Sequence, residues 1–563
     1  MTVADTSHPL GSRDFDAIVV GTGPGGAAAA LALTQAGQSV LLVEKGRNHL
    51  IEPDEPFRLM GRYSNDEIKF HVRHFLGPDP AIEPRTFRTS EAEGDRAFTG
   101  EVNSVPSTVG GGGVHADGKV PRFREEDFRL LSERGPIDGA ALADWPLTYD
   151  DLEPAYTEAE RLIGVAGDAG SNPFAPWRSG PYPMPPGAPM YVALRTSEAA
   201  ERLGLHPYPA PTAANSVPYD GRPACNNCGF CAFFGCPIHA KGDPVALLQR
   251  VLVSGRAVLQ TETFATRVLF AGDRATGVEL LDQRGRRWTQ PARSVIIAGG
   301  AIETARLLLL SGIEHPWLGR CLTFHFQTYV TGHFPEPLHV HRGRAVTHVH
   351  DDHLVADEGS KLAAADADLP WIKGGMVEHA GASLPITEAK LYPWGRRHRA
   401  SMLASPLREH MAAMVMQGED LPQMSNRVDL DPVVRDARGI PVARVTYQPH
   451  RHELVASRHY GKILAEVLTT AGAEWTMMAT SPMAEGPYGS EISPVPTSRH
   501  VMGTVRSGLD PATSVCDPWG RLHAAPNVLV ADSSLFPTAS GYGPTLTLVA
   551  LSLRNAAAFA GGL

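Results

Sequence analysis

Residues 15 to 20, FDAIVV, form a short apolar run of the kind that fills a buried strand. Glycines follow at 21, 23 and 26, then an Ala-rich stretch to Ala36, a stop at Gly37 and a second apolar run, SVLLVE, ending at Glu44. This order predicts strand, turn, helix, strand, a complete βαβ opening. Further on, Thr148 with Asp151 reads as a capping box that starts a helix running to Ile163. The Pro-rich crossing NPFAPWRSGPYPMPPGAP comes next and is expected to be an ordered excursion. Strand-like runs AVLQT, TRVLF and TGVELLD lead into ARSVIIAGGAIETARLLLLSG, another strand, a Gly299–Gly300 turn and a helix. From about Gln327 to Pro482 the pattern changes to scattered strands, many His and Met residues and an amphipathic stretch from His450 to Ala471. The segment from Asn527 onward restores strand, loop and helix. The expected organisation is therefore a nucleotide-binding unit over 1–326, an inserted substrate-facing unit over 327–482, and a C-terminal return over 483–563.

The opening motif assigns separate tasks to its glycines. Gly21 permits the tight turn, Gly23 lets the backbone approach a pyrophosphate, and Gly26 packs helix on strand. The helix N-terminus adds free N–H groups and a positive dipole end. Glu44 stands where an acid accepts from both ribose hydroxyls, which disfavours NADP and leaves NAD and FAD open. A nucleotide motif at the N-terminus, completed by a strand and helix more than 500 residues later, favours FAD, a ligand long enough to be gripped by both ends of a chain. Gly110 to Gly113 cannot hold a regular element and mark a loop of close backbone approach.

At 563 residues, with 43% apolar and 20% charged positions, the chain has the composition of a globular protein of several folding units. Its net charge of −10 offers no basic face for nucleic acid. There is no run of about 18 apolar residues and no basic-then-apolar leader, so a cytoplasmic location is the expectation. Four of the six cysteines, Cys225, Cys228, Cys231 and Cys236, crowd into one stretch, which is a local site and not a disulfide framework.

Taken together, VVGTGPGGAAAALALTQAGQSVLLVEKG, TVGGGGVHADGKVPRF, ACNNCGFCAFFGCPIHAKG, SVIIAGGAIETARLLLLSG, the SRHVMGT block and PTLTLVALSLR resemble the GMC (glucose-methanol-choline) flavin oxidoreductases, in that family's order. The likeness is greatest to the branch of gluconate 2-dehydrogenase, sugar dehydrogenases and pyranose oxidase, with wording also similar to aminoglycoside-intermediate dehydrogenases. The resemblance implies an α/β fold: a Rossmann-type FAD-binding domain with an inserted α+β substrate domain whose antiparallel sheet roofs the isoalloxazine. It also implies oxidation of an alcohol, expected to be a sugar, amino sugar or polyol, by hydride transfer to flavin N5. The electrons would leave to oxygen, a quinone or a carrier protein.

By the same resemblance His500 matches the catalytic histidine, and imidazole suits removal of a hydroxyl proton near neutral pH. The family's second position, Asn or His before the proline of the closing segment, is Gly543 here. Tyr542, a water or a residue of the inserted domain is expected to take over, since a lost hydrogen bond to a developing alkoxide costs about 3 kcal/mol of barrier. His115 stands where some members bond covalently to the flavin, and others keep an unlinked His. Asp532 is expected near the FAD pyrophosphate or ribityl chain, or else capping the next turn. The cysteine run C-x2-C-x2-C-x4-C-P allows an iron–sulfur cluster, zinc, or ordinary buried thiols or a disulfide. A flavin lyase or isomerase and a catalytically silent flavin subunit are the competing functions.

Overall fold

The computed structural model describes residues 10, 13–49, 51–52, 79–94, 98–100, 102–103, 105–229, 231, 235–340, 342–382, 392–479 and 498–562. Strand β1 (Phe15–Val20), helix α1 (Pro24–Gln35) and strand β2 (Val40–Val43) form the predicted βαβ opening. Proline at the first helical position fixes φ without losing an intrahelical bond, and Gly37 leaves the helix at φ +87°. Four alanines, Ala27 to Ala30, are fully buried, so α1 lies close against the sheet and its neighbours. Strand β3 (Arg287–Ile297) pairs in parallel with β1 on the side opposite β2, and helix α2 (Ala301–Leu310) leaves it through Gly299 and Gly300. The capping box is formed: the Thr148 hydroxyl accepts from Asp151 N at the start of helix Tyr149–Ile163.

A second, six-stranded sheet is built on strands β4 (Phe326–His333), β5 (Val346–His350), β6 (Val377–Gly381) and β7 (Met411–Gly418), all antiparallel to their neighbours. Its faces divide by the two-residue alternation of a strand. Val330, Val377, Met414 and Met416 face one way and pack with Leu464 and Val467 of helix α3 (Arg451–Thr470), the predicted amphipathic stretch. Gln327, Glu378 and Gln417 fall on the opposite face, toward the nucleotide-binding unit. Two pieces come from before residue 327: strand Tyr208–Pro209 is the outermost strand beyond β5, and helix Tyr191–Arg202 packs on the helical face. The expected boundary at 482 lies outside the described residues. A buried triad spans the two units, with Lys373 Nζ donating to Asp127 Oδ1 at 2.6 Å and Glu419 Oε2 at 2.8 Å.

The chain then returns to the first sheet. Strand β8 (Ala525–Val530) adds in parallel beside β3, and helix α4 (Thr545–Ala560) packs on α1. No helix of the described residues is long and apolar enough to cross a membrane.

Candidate active site

The nucleotide end is built from glycines that do different things. A Cβ on Gly21 would lie 2.3 Å from the Ala298 carbonyl oxygen, and one on Gly26 would lie 2.1 Å from the Gly21 carbonyl oxygen. Those two, together with Gly25, whose Cβ would meet the Ala531 oxygen at 1.8 Å, are held to glycine by backbone packing. Gly23 has nothing within 4 Å of a built Cβ, and it caps α1 with no side chain bound to the free N–H groups and no acid in the first turn. A negatively charged group meets open backbone donors there.

The three loops of this end are wired together. The Gly110 N–H donates to Thr22 Oγ1 at 3.1 Å, and the Thr22 hydroxyl donates to Glu44 Oε2 at 2.7 Å. Gly110 and Gly111 sit at φ +90° and +54°, and a Cβ on Gly111 would come 3.1 Å from Gly23 Cα. Glu44 is buried, which raises its pKa, while Gly46 N and Thr22 donate to its oxygens. His115 ends the short turn Gly111–His115 and stays partly exposed. Asp532 caps the next turn, Oδ1 accepting from Ser534 N, while Oδ2 accepts from Gly300 N at 2.9 Å and from Thr304.

At the other end, His500 keeps part of its surface open while His325 beside it is buried. Their Nδ1 atoms are 2.8 Å apart with rings at 90°, and His325 Nε2 lies 3.0 Å from the Ser540 carbonyl oxygen. These contacts fix the tautomers by elimination. A carbonyl only accepts, so His325 carries its proton on Nε2 and offers a lone pair at Nδ1. His500 must then donate from Nδ1, which leaves its Nε2 unprotonated. Burial, then the Lys119 charge, hold the His500 pKa down to about 4. Ser540 adopts φ +61°, a left-handed conformation uncommon for serine, at the residue whose carbonyl anchors this relay.

Gly543 leaves the flank of His500 without a side chain: its built Cβ lies 3.9 Å from His500 Cε1 and 3.9 Å from the Lys119 carbonyl oxygen. The expectation that Tyr542 fills this position is corrected, because its hydroxyl points to Asp351 Oδ2 at 2.7 Å and the ring is buried. The main chain of Lys119 borders this gap, and its Nζ lies 2.7 Å from Asp117 Oδ2 and 2.5 Å from Glu378 Oε1. His325 and this charged cluster were missed by sequence reasoning. Asp117 and Lys119 do stand in the same loop as His115, and that loop was the available signal.

Of the four clustered cysteines, Cys225, Cys231 and Cys236 carry free thiols. They lie near enough to act on one another electrostatically, and burial pushes Cys231 up to about 12. Lys241 ties this stretch to the glycine loop by donating to the Val114 and Ala116 carbonyls at 2.7 and 2.9 Å. No group of three or more ligands among the described residues is placed to hold a metal ion.

Two GMC oxidoreductase family models match residues 193–327 and 422–552, and an FAD binding domain model matches 16–51. Paromamine 6'-oxidase of Streptomyces fradiae is 31% identical, covering 98% of this chain and 92% of that protein. The chain belongs to the GMC oxidoreductases. Among GMC relatives, the gluconate 2-dehydrogenase flavoprotein of Pantoea cypripedii is 27% identical over 97% of this chain and 93% of its own length. The formate oxidase of Aspergillus oryzae RIB40 shares the fold, with a TM-score of 0.65 at 14% identity, over 97% of this chain and 98% of that one. FAD fits the GMC nucleotide end described above. The open Cβ position at Gly23, the uncapped helix N-terminus and the buried acid at Glu44 suit pyrophosphate and ribose.

Proposed function

We propose that this GMC oxidoreductase oxidises an alcohol group of a sugar, amino sugar or polyol to a carbonyl, with His500 as the general base. The observation that carries this reading is the Ser540–His325–His500 relay, which presents an unprotonated Nε2 on a ring that keeps surface open. The names of the paromamine and gluconate relatives support the substrate class. Gly21, Gly23 and Gly26 with the α1 N-terminus would hold the FAD pyrophosphate, Glu44 the ribose, and the Gly110–His115 loop and Asp532 the remaining length. Bound FAD supplies the two-electron acceptor for the carbinol hydride.

The work of the chain's own residues is then proton handling. With a pKa near 4, His500 is free to accept a proton throughout the neutral range. When Nε2 takes the hydroxyl proton, the ring becomes an imidazolium whose Nδ1–H bond to His325 strengthens, and the Ser540 carbonyl backs that bond from the far side. The fixed tautomer means no ring flip or proton shift is needed beforehand.

The test is anaerobic mixing of the FAD-loaded protein with paromamine, D-gluconate and D-glucosamine while following flavin absorbance near 450 nm. Bleaching by one of them, slowed at least 1000-fold in His500→Ala, is the expected result. Bleaching within a few fold of the parent in that variant would remove the base assignment. Turnover without bleaching would point to lyase or isomerase chemistry, and FAD that no alcohol reduces to a silent subunit. Flavin colour remaining in an acid-precipitated pellet reads whether His115 carries it covalently.

A further inference from the structure

The gap at Gly543 has a neighbour with the right chemistry. As the hydroxyl proton moves to His500 and the hydride leaves the carbinol carbon, the substrate oxygen passes through a state with developing negative charge. A donor aimed at that oxygen lowers the barrier because the bond is stronger there than to the neutral alcohol. Gly543 cannot supply one.

The main chain of Lys119 borders the same space from the glycine loop. Its carbonyl oxygen and His500 Cε1 are equidistant, 3.9 Å each, from the empty Cβ position of Gly543, and its charge acts on the His500 ring. Two of its three N–H bonds go to Asp117 and Glu378. The third is uncommitted among the described residues. The two carboxylates are themselves held. Glu378 Oε1 accepts from Gln417 Nε2 at 2.7 Å, Gln417 Oε1 accepts from Gln327 Nε2 at 3.1 Å, and Asp117 Oδ1 accepts from Lys119 N at 3.3 Å. The ammonium is thus fixed from the glycine loop on one side and from three strands of the roofing sheet on the other. The lysine is held in one place, with its main chain bordering the Gly543 gap and its charge acting on His500.

Resting on the alcohol-oxidation reading above, we propose that Lys119 is the second catalytic group, its remaining N–H donating to the substrate oxygen that loses its proton to His500. Atoms and electrons balance without a further reactant: the oxygen's proton goes to His500 Nε2, the hydride to bound FAD, and the carbonyl forms. Lys119 keeps its protons and supplies only charge and direction. Its two carboxylate partners hold it in the charged form, so its contribution does not vary with pH across the neutral range.

The experiment compares flavin reduction in the full-length holoprotein for the parent, Lys119→Gln and Lys119→Arg, with the same three alcohols and across pH 4 to 9. Lys119→Gln is expected to lower the limiting reduction rate about 100-fold with a smaller change in the half-saturating concentration, and Lys119→Arg to recover at least ten-fold of that loss. The low-pH limb of the profile should move upward in Lys119→Gln, because a positive charge beside the base has gone. The double variant Lys119→Gln/Glu378→Gln removes a charge pair together, so it tests the lysine even where the single variant does not load FAD. A limiting rate within three-fold of the parent in either uncharged variant overturns the proposal, and so does a loss that Lys119→Arg does not reduce. If none of the alcohols bleaches the parent, the alcohol-oxidation reading itself fails and the lysine's role with it. If His500→Ala is inactive while Lys119→Gln is normal, only the second group is wrong.

Discussion

Tyr542 donates its hydroxyl to Oδ2 of Asp351 at 2.7 Å, and Tyr208 and Asn172 donate to the same oxygen, each at 2.7 Å. Burial drives the Asp351 pKa up to about 6 even against these three donors. The tyrosine that neighbours Gly543 therefore serves a structural knot and not the reacting oxygen. Tyr542→Phe is expected to leave the flavin reduction rate within about three-fold of the parent. It should lower stability by about 1 to 2 kcal/mol, the usual loss for a hydrogen bond to a carboxylate with other donors remaining. Stopped-flow reduction beside thermal unfolding separates the two effects. A rate loss of 100-fold without unfolding would return Tyr542 to the reaction.

His325 is a positioning residue, since it acts on the substrate only through His500. In His325→Phe the acceptor for the His500 Nδ1–H is gone, the tautomer is no longer fixed, and the limiting reduction rate should fall roughly 10- to 100-fold. His325→Asn offers an amide oxygen near the former Nδ1 and should fall less. Half-saturation by substrate should change little in either. Equal losses in the two variants would show that packing at this position, and not acceptance from His500, is what matters.

The division between what was legible and what was not follows contact distance. The βαβ opening rests on neighbours: Pro24 at the helix start, Gly37 at its end, and apolar strands on both sides. The helices begun by Thr148 and covering 451–470 were equally readable, because caps and 3.6-residue periodicity are local signals. His325 lies 175 positions from His500, within a run, CLTFHFQT, that carries no pattern of its own. Glu378 meets Lys119 only because β6 crosses above the glycine loop, a fact of tertiary assembly. The strand Tyr208–Pro209 is two residues long and follows a Pro-rich excursion, so nothing local announced that it would join the six-stranded antiparallel sheet.

Acid should destabilise the fold through its buried histidines. His350, His353 and His379 form a buried chain, with His350 Nδ1 2.9 Å from His379 Nε2 and His350 Nε2 3.4 Å from His353 Nε2. Burial lowers all three, His353 to about 4 and His379 to about 3. In the unfolded chain each would titrate near 6.5. Between these values the unfolded state binds more protons, so stability is present above pH about 6.5 and is lost as pH falls toward 4, at about 1.4 kcal/mol per pH unit for each group. Asp351 works in the opposite direction: its raised pKa favours the folded state below pH about 6. Within this chain, three lowered histidines against the adjoining Asp351 carboxyl leave a net loss of its stabilisation in acid. Melting temperatures taken from pH 7.5 to 4.5 should hold steady above 6.5 and drop below it, and a flat profile would mean that these rings are hydrated in solution.

The glycines of the opening turn can be sorted by what a methyl group would meet. In Gly25→Ala the new Cβ would lie 1.8 Å from the Ala531 carbonyl oxygen, and in Gly26→Ala 2.1 Å from that of Gly21. Neither backbone atom can yield without parting α1 from the sheet, so both variants should fold poorly and be recovered mainly as aggregate. Gly23 is different, because its Cβ position is empty protein space at the uncapped helix end, and its φ of −65° suits alanine. Gly23→Ala should therefore fold with a melting temperature close to that of the parent when both are stripped of FAD. The methyl group would stand where a phosphate must approach the backbone, and FAD should bind at least ten-fold more weakly, as measured by quenching of free FAD fluorescence. Unchanged affinity in a folded Gly23→Ala protein would mean that the pyrophosphate does not lie over this turn.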